Sequence, residues 1–187
     1  MTDATVRFLE ARTGEPVVTS PISQFVASLE GYWSRWLEAP LAVMTLLRRV
    51  VIRGQQSDTP YAYAESRVLL ARLPGDFLHT LDRSPRGLGE ALISAAVESR
   101  RELLWFGRSE VPAWANDAGA PEPGHSLLTR GYRIMTANQP AVLVTEAFPP
   151  DSQGEDGTRR QRRRTPARPH DDERANERSD NAVDPSY

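Results

Sequence analysis

The sequence predicts an α+β domain built on a single, mostly antiparallel β-sheet. Stretches rich in β-branched and aliphatic residues recur along the chain. Most are joined by hairpin-length turns rather than by the helical crossovers that parallel strands require. Segments with helical spacing precede and interrupt this series. With 187 residues, 39% of them hydrophobic, the chain is long enough for one domain with a sizeable core.

The first predicted element is an amphipathic helix that begins at Ser20-Pro21. Serine is a favoured N-cap, and proline is well tolerated at the first helical position. Behind this pair, apolar residues recur every three or four positions as far as Leu37. They are Ile22, Phe25, Val26, Leu29, Trp33 and Trp36.

Two strands are predicted next, over residues 43–52 and 61–73. β-branched and aliphatic residues dominate the first of these, and Gly54 with a polar stretch forms the turn between them. Pro74-Gly75 ends the second strand. Residues 76–81 are then predicted as a short helix, and Ser84-Pro85 opens another.

Three strands complete the predicted order of one helix, two strands, two helices and three strands. The third strand covers residues 102–106, and a loop with several proline and glycine residues covers 111–126. A hairpin over 132–148 then closes the domain.

We predict three regions: an N-terminal segment over 1–19, a domain over 20–150 and a charged tail over 151–187. The tail is too polar to offset the entropy of ordering it, so we expect disorder. Its basic cluster at 159–164 is nearly balanced by the acidic residues at 171–173. A solvated tail is therefore favoured over a weak contact with nucleic acid.

Composition excludes several kinds of enzyme chemistry. All 23 basic residues are arginine, and the chain contains neither lysine nor cysteine. A Schiff-base lysine, a Walker A lysine, a thiol nucleophile and an iron–sulfur site are therefore excluded. His79, His125 and His170 are too scattered for the usual metal-ligand spacings, so we expect no metal site. The chemistry of carboxylates and arginines remains.

The sequence also gives expectations about location and partners. The formal net charge of −2 offers no argument for a nucleic-acid or membrane partner. The N-terminus lacks the features of a signal peptide, and no apolar run approaches the roughly 18 residues of a membrane helix. We therefore expect a cytoplasmic protein without a membrane partner. Separately, we expect a monomer that acts on a small molecule.

Glu146 is the most informative residue because it lies in the otherwise apolar second strand of the closing hairpin. A buried carboxylate needs a partner or a task. Strand alternation places Glu146 on one face with Val142 and Val144. The turn over 137–140 is even in length, which predicts Arg133 opposite Val144 and on the face of Glu146.

Other charged residues lie on the predicted strands 43–52 and 61–73. Glu65 and Arg67 share one face of the second of these strands, and Arg48 lies on an apolar stripe of the first. One interpretation is a sheet-lined pocket in which these arginines and Arg133 bind an anionic ligand, while Glu146 does acid–base or hydrogen-bonding work. The other interpretation is a set of structural ion pairs, or arginines that reach solvent at a sheet edge.

The segment 133–148 resembles the closing motif of the chorismate pyruvate-lyase family, in its mycobacterial-type branch. It has an arginine in a strand, a short turn that ends in proline, an aliphatic run, then Thr-Glu, one residue and Phe. Weaker matches precede it in the family order, so that the resemblance covers about residues 20–150. They are Ser20-Pro21-Ile22, Met44-Thr45-Leu46-Leu47-Arg48, Ala64-Glu65-Ser66 leading into Leu73-Pro74, Ser84-Pro85-Arg86-Gly87-Leu88-Gly89 and Arg101-Glu102-Leu103-Leu104-Trp105-Phe106-Gly107.

This resemblance implies an antiparallel sheet with helices on one side that form lids over a buried ligand cavity. It implies conversion of chorismate into 4-hydroxybenzoate and pyruvate without a metal or organic cofactor, for example to supply an aromatic acid to secondary metabolism. Glu146 matches the family's active-site glutamate. Leu88 and Ile22 match lid positions whose backbone amides contact the ligand.

Two departures from the family pattern bear on the substrate. In the ubiquinone-pathway members, an arginine that binds the ligand carboxylate stands where this chain has Glu65. Arg67, Arg48 or Arg133 would then take over that role. Arg86-Gly87 also interrupts the usual lid motif. The alternatives are a family member without activity and a non-catalytic module that binds a small aromatic acid, since the same fold serves as the effector domain of some bacterial transcription regulators.

Overall fold

The computed structural model describes residues 4–121 and 125–150, and the tail predicted over 151–187 lies outside them. The described residues form four short α-helices and six β-strands. None of these helices is long and apolar enough to cross a membrane. The helices are α1 (Ala4–Thr13), α2 (Gly31–Leu37), α3 (Phe77–Asp82) and α4 (Leu88–Ser94), and the strands are β1 (Val17–Ser28), β2 (Met44–Gly54), β3 (Pro60–Val68), β4 (Ser99–Glu110), β5 (Ser126–Thr136) and β6 (Gln139–Phe148).

The six strands form one sheet in the order β1-β2-β3-β6-β5-β4, and every neighbouring pair is antiparallel. The predicted α+β class with an antiparallel sheet is therefore confirmed. Strand β3 ends earlier than predicted because residues 70–72 form a 3₁₀ turn. Strand β4 is longer than the predicted 102–106, because it pairs with β5 from Ser99 to Glu110, with a register shift at Leu104.

The predicted helix from Ser20 is wrong over its first half, because residues 17–28 form the edge strand β1. This strand begins with β-branched residues, which favour an extended backbone. Pro21 is compatible with it, since one side of an edge strand has no ladder to break, and the register with β2 shifts between Pro21 and Ser23. Only Gly31–Leu37 of the predicted helix is helical.

The segment 1–19, which the sequence interpretation set apart, contributes α1 and the start of β1 to the sheet domain. Val6 and Leu9 of α1 are buried in a cluster with residues of β1, β2 and β3. The helix gives way to Gly14 at φ +74°, whose N–H donates to the Glu10 carbonyl at 3.0 Å. A glycine adopts this left-handed conformation without steric penalty.

Both faces of the sheet are partly covered. Helices α3 and α4 pack on the face that carries Val142 and Val144. The buried residues of these helices and of this face form one core cluster. Helix α1 covers the end of the same face. On the other face, α2 packs over Leu143, and a 3₁₀ helix over Ala113–Ala118 packs over Ala147. We call the first of these the cavity face and the second the far face.

The register between β5 and β6 differs from the prediction by one residue. Ala137 and Asn138 both have positive φ and form a two-residue turn, and Ala141 has no partner because the register shifts there. Arg133 consequently lies opposite Leu143 and points to the far face. The prediction that Arg133 shares a face with Glu146 is wrong, because a slip of one residue exchanges the two faces of a strand.

Candidate active site

A cavity of about 50 Å³ lies between the cavity face and the elements that cover it. Strands β2, β3, β5 and β6 form its floor, while α1 and a segment over 86–88, which we call the lip, lie over it. Its walls include the apolar side chains of Val6, Val50 and Val144. Its polar lining residues are Thr19, Arg48, Ser66, Arg86, Tyr132 and Glu146.

Glu146 is buried, with 3% of its surface exposed, and both of its carboxylate oxygens are hydrogen-bonded. Thr5 Oγ1 donates to Oε1 at 2.9 Å, and the Tyr132 hydroxyl donates to the same oxygen at 3.0 Å. Arg130 Nε donates to Oε2 at 2.7 Å. The carboxylate therefore faces two hydroxyls and one guanidinium, contributed by α1 and β5.

Arg130 and Tyr132 were missed by the sequence interpretation. They lie directly across the sheet from Glu146 and Val144, and strand β5 starts six residues before the predicted hairpin. The Arg130 guanidinium also lies 5.6 Å from the Tyr132 ring and 5.5 Å from the Phe148 ring. Strand alternation continued backwards from Tyr132 would place Arg130 on the same face as Tyr132. The bulge at Ala141 then decides that this face of β5 is the one that carries Glu146 on β6.

Arg48 supplies a buried positive charge to the same cavity. Its Nη1 donates to Gln24 Oε1 at 3.0 Å and lies 3.9 Å from Asp82 Oδ1. Burial lowers the pKa of the Arg48 guanidinium, and the nearby Asp82 carboxylate opposes that effect. A guanidinium whose acidic neighbour is 3.9 Å away and largely exposed can still bind an anionic ligand.

Arg48 and Glu146 lie at separate places on the floor. Arg48 pairs with Ser66 across the sheet, Ser66 pairs with Val144, and Glu146 is two residues further along β6. With strands about 4.8 Å apart and about 3.4 Å per residue, the two Cα atoms are about 12 Å apart. The two charged groups can therefore contact different parts of one ligand.

The lip and the preceding Pro85 contact α1 and β1. Thr19 N–H donates to the Pro85 carbonyl at 2.9 Å, and Arg86 forms an ion pair with Glu10 at 3.6 Å. Gly87 has φ +79°, and a Cβ there would lie 3.2 Å from Thr19 Oγ1. The inserted Arg86-Gly87 pair thus forms a turn that presents Leu88, the first residue of α4, to the cavity.

The other residues predicted for the site lie on the far face. Glu65 binds Arg49 at 2.9 Å, and Arg67 lies 5.2 Å from the Trp33 ring. Arg133 donates to Glu102 at 2.7 Å and to Glu38 at 2.6 Å. Ile22 packs in the far-face cluster with Val51 and Tyr63. The structure therefore brings Glu146, Arg48 and Leu88 together and leaves Glu65, Arg67, Arg133 and Ile22 outside the cavity.

The lining supports anion binding at Arg48 and hydrogen bonding or proton transfer at Glu146 and Tyr132. Between these groups, apolar side chains from the sheet offer a surface for a hydrocarbon ring. Within residues 4–121 and 125–150, no three His, Asp or Glu side chains are grouped to hold a metal ion.

Comparison with solved structures defines the class of fold. The chain superposes on the effector domain of PhnF from Mycobacterium smegmatis with a TM-score of 0.61, 10% identity, and coverage of 80% of this chain and 90% of the other. A GntR-family transcriptional regulator from Bacillus cereus gives a TM-score of 0.59 and 8% identity, with coverage of 73% and 93%. The domain therefore shares its fold with these two structures.

The sequence defines the family more narrowly. Residues 4–154 match the family model described as chorismate pyruvate-lyase Rv2949c-like, and the chain belongs to this family. The family expected from the closing motif is thus confirmed.

Two curated relatives carry the same name. The chorismate pyruvate-lyase of Mycobacterium tuberculosis strain H37Rv is 29% identical over 105 residues, which are 55% of this chain and 52% of the relative. The enzyme of Mycobacterium leprae is also 29% identical over 105 residues, which are 49% of that relative. The chain thus spans about half the length of the curated relatives it matches.

Proposed function

We propose that this protein eliminates pyruvate from chorismate and releases 4-hydroxybenzoate or a closely related aromatic acid. The observation that carries the proposal is the joint burial of Glu146 and Arg48 in one cavity of a chorismate pyruvate-lyase family member. Chorismate is a dicarboxylic acid, which calls for a cationic group, and its ring needs apolar walls. The cavity provides both kinds of surface.

The reaction places modest demands on the protein. The carbon–oxygen bond to the enolpyruvyl group breaks, a ring proton leaves, and the released enolpyruvate takes up a proton to become pyruvate. The remaining ring becomes aromatic, so that much of the driving force lies in the substrate. The protein has to position the substrate, exclude water and assist the movement of the proton.

In this proposal, Arg48 binds a substrate carboxylate, and Glu146 acts as a proton acceptor or hydrogen-bonding group at the ring. The backbone amide of Leu88 completes the site from the lip. In the ubiquinone-pathway members, an arginine at the position of Glu65 binds the carboxylate. In this protein, Arg48 takes that role. Arg67 and Arg133 are not part of the proposed site, because their side chains bind partners on the far face.

The cavity has a volume of about 50 Å³. Ligand pockets usually measure about 300–1,000 Å³. A chorismate-sized ligand therefore requires the lip or α1 to move outwards. The lip is the smaller unit. The Arg86–Glu10 ion pair connects it to α1, the adjoining Pro85 carbonyl accepts from Thr19 of β1, and Arg86 N–H donates to Glu90 of α4.

The direct test incubates purified full-length protein with chorismate. Pyruvate is followed with a coupled lactate dehydrogenase assay, and 4-hydroxybenzoate is measured by chromatography. We expect both products to appear at equal rates above the non-enzymatic background. Folded protein that produces no pyruvate above this background would contradict the proposal.

The second candidate function is a module that binds a small aromatic acid without converting it. It is compatible with the fold that the domain shares with the effector domain of PhnF. Titration calorimetry with 4-hydroxybenzoate separates the two, since tight binding without turnover of chorismate supports the binding module.

A further inference from the structure

We infer that Thr5 is a positioning residue for Glu146, and that α1 thereby becomes part of the active site. The inference rests on the proposed function, because it concerns the same carboxylate. Thr5 lies in the first turn of α1, and 141 positions along the chain separate it from Glu146. Only the packing of α1 on the sheet brings the two side chains together.

The direction of the hydrogen bonds at Thr5 follows from the chemistry of its neighbours. Arg130 Nη2 donates to Thr5 Oγ1 at 2.8 Å, and Thr5 Oγ1 lies 2.9 Å from Glu146 Oε1. A guanidinium has no acceptor, so the hydroxyl must accept from Arg130. Its own proton is then directed to the Glu146 carboxylate.

Thr5 completes a ring of hydrogen bonds that holds both carboxylate oxygens. Arg130 contacts Oε2 of Glu146 directly at 2.7 Å and reaches Oε1 through Thr5. The Arg130 guanidinium thus fixes the plane of the carboxylate through two routes, its direct bond to Oε2 and its bond through Thr5 to Oε1. Without the Thr5 hydroxyl, Oε1 would keep the bond from Tyr132, and the carboxylate could turn about its last bond.

The packing of α1 keeps this hydroxyl in place. Thr5 is 2% exposed, and the next residue, Val6, is 1% exposed and lines the cavity. Further along the helix, Glu10 pairs with Arg86 of the lip at 3.6 Å and accepts from Val17 N–H at 3.4 Å. These contacts set the rotation of α1 about its axis. Hydrogen bonds in such a water-poor place are stronger and more orienting than exposed ones.

A threonine that only held α1 in place would give a different result on substitution. Losing it would lower the melting temperature but leave the turnover of the folded protein unchanged. A positioning role predicts a lower kcat with little change in KM, because the carboxylate is misplaced for the proton transfer while the substrate still binds at Arg48.

The experiment compares Thr5→Val, Thr5→Ser and the matched control Thr13→Val in the full chain. Thr13 lies on the same helix, and its hydroxyl donates to the Leu9 carbonyl at 2.8 Å. We expect Thr5→Val to lower kcat about tenfold with KM within twofold. This factor corresponds to the loss of one hydrogen bond worth about 1.4 kcal/mol. Thr5→Ser keeps the hydroxyl, so its kcat should stay close to that of the wild type. Thr13→Val should also leave kcat unchanged.

Crystal structures of Thr5→Val and Thr5→Ser supply a readout that does not depend on turnover. We expect the Glu146 carboxylate to be rotated in the valine variant and restored in the serine variant. An unrotated carboxylate in Thr5→Val, or equal kcat in the wild type and Thr5→Val, would overturn the inference. If the wild type itself does not convert chorismate, the proposed function fails, and the crystal structures alone decide whether Thr5 positions Glu146.

Discussion

Replacing Glu146 with glutamine removes the carboxylate and keeps the shape of the side chain. The amide can turn its oxygen towards Arg130 and its NH₂ group towards Thr5 and Tyr132. The Tyr132 and Thr5 hydroxyls would then accept from the amide, and the Thr5 proton would lose its acceptor at Oε1. The principal loss is the charge of the acceptor at Arg130, where the bond in the wild type is 2.7 Å long.

The structural cost of this change is modest. A hydrogen bond to a charged group contributes about 1.5–3 kcal/mol and a neutral one about 0.5–1.5 kcal/mol. Because the Arg130 side chain is 38% exposed and water screens it, we take about 1 kcal/mol for the difference. For a domain of this size, that lowers the melting temperature by about 2–4 °C. The loss of a proton-transferring group should lower kcat by about 100-fold to 10,000-fold.

Glu65→Gln is the matched control for Glu146→Gln. Glu65 is also a strand glutamate bound to an arginine, with 17% of its side chain exposed and a 2.9 Å bond to Arg49, but it lies on the far face. Pyruvate release and thermal unfolding are measured for both variants. We expect similar melting temperatures and a large difference in kcat. Wild-type turnover by Glu146→Gln would refute the role of this carboxylate and leave the proposed reaction standing.

Three further predictions concern binding and stability. Arg48→Gln should raise KM for chorismate by about 10-fold to 150-fold, the equivalent of a charge-assisted bond of about 1.5–3 kcal/mol, whereas Arg49→Gln on the far face should leave KM unchanged in the same assay. Gly87→Ala places a side chain at φ +79° and should lower the melting temperature by about 2–10 °C in a thermal scan, whereas Gly75→Ala, with no atom within 4 Å of its Cβ, should change it by less than about 2 °C. Hydrogen bonds from Ser57 and Tyr61 lower the pKa of Glu15 from 4.5 to about 2, so its stabilising effect is complete above pH 4.5 and is lost as the pH falls towards 2. The melting temperatures of Glu15→Gln and the wild type should therefore differ at pH 7 and converge towards pH 2, and a constant difference would contradict this assignment.

Local patterns in the sequence were sufficient for much of the sheet. Strands β2, β3, β5 and β6 follow from alternation and from turn residues, because hydrophobic burial on a sheet repeats every second position. The same rule placed Glu146 and Arg48 each on an apolar stripe of its own strand, and the structure places both at the cavity. The closing motif also indicated the family that the match over residues 4–154 confirmed.

The first helix and the partner of Glu146 could not be predicted in this way. The spacing of apolar residues after Ser20 fits a helix. Residues 17–28 form a strand instead, because they pair with β2 through backbone hydrogen bonds. A single residue, Ala141, forms a bulge in the pairing of β5 with β6. Counting pairs from the turn without this bulge places Arg133, instead of Tyr132, opposite Val144 and on the face of Glu146. Helix α1 has a weak amphipathic pattern, so the sequence did not indicate that Thr5 is buried beside Glu146.

The sequence by itself determined the α+β class, the family and the positions of Glu146 and Arg48 on apolar stripes of their strands, because these depend on residue type and on short-range periodicity. The tertiary structure decided which side chains meet Glu146, namely Thr5, Arg130 and Tyr132. It also decided that Arg67 and Arg133 bind elsewhere. The physical reason is that the face of a strand depends on its register, and register depends on a single bulge and on pairing between distant segments.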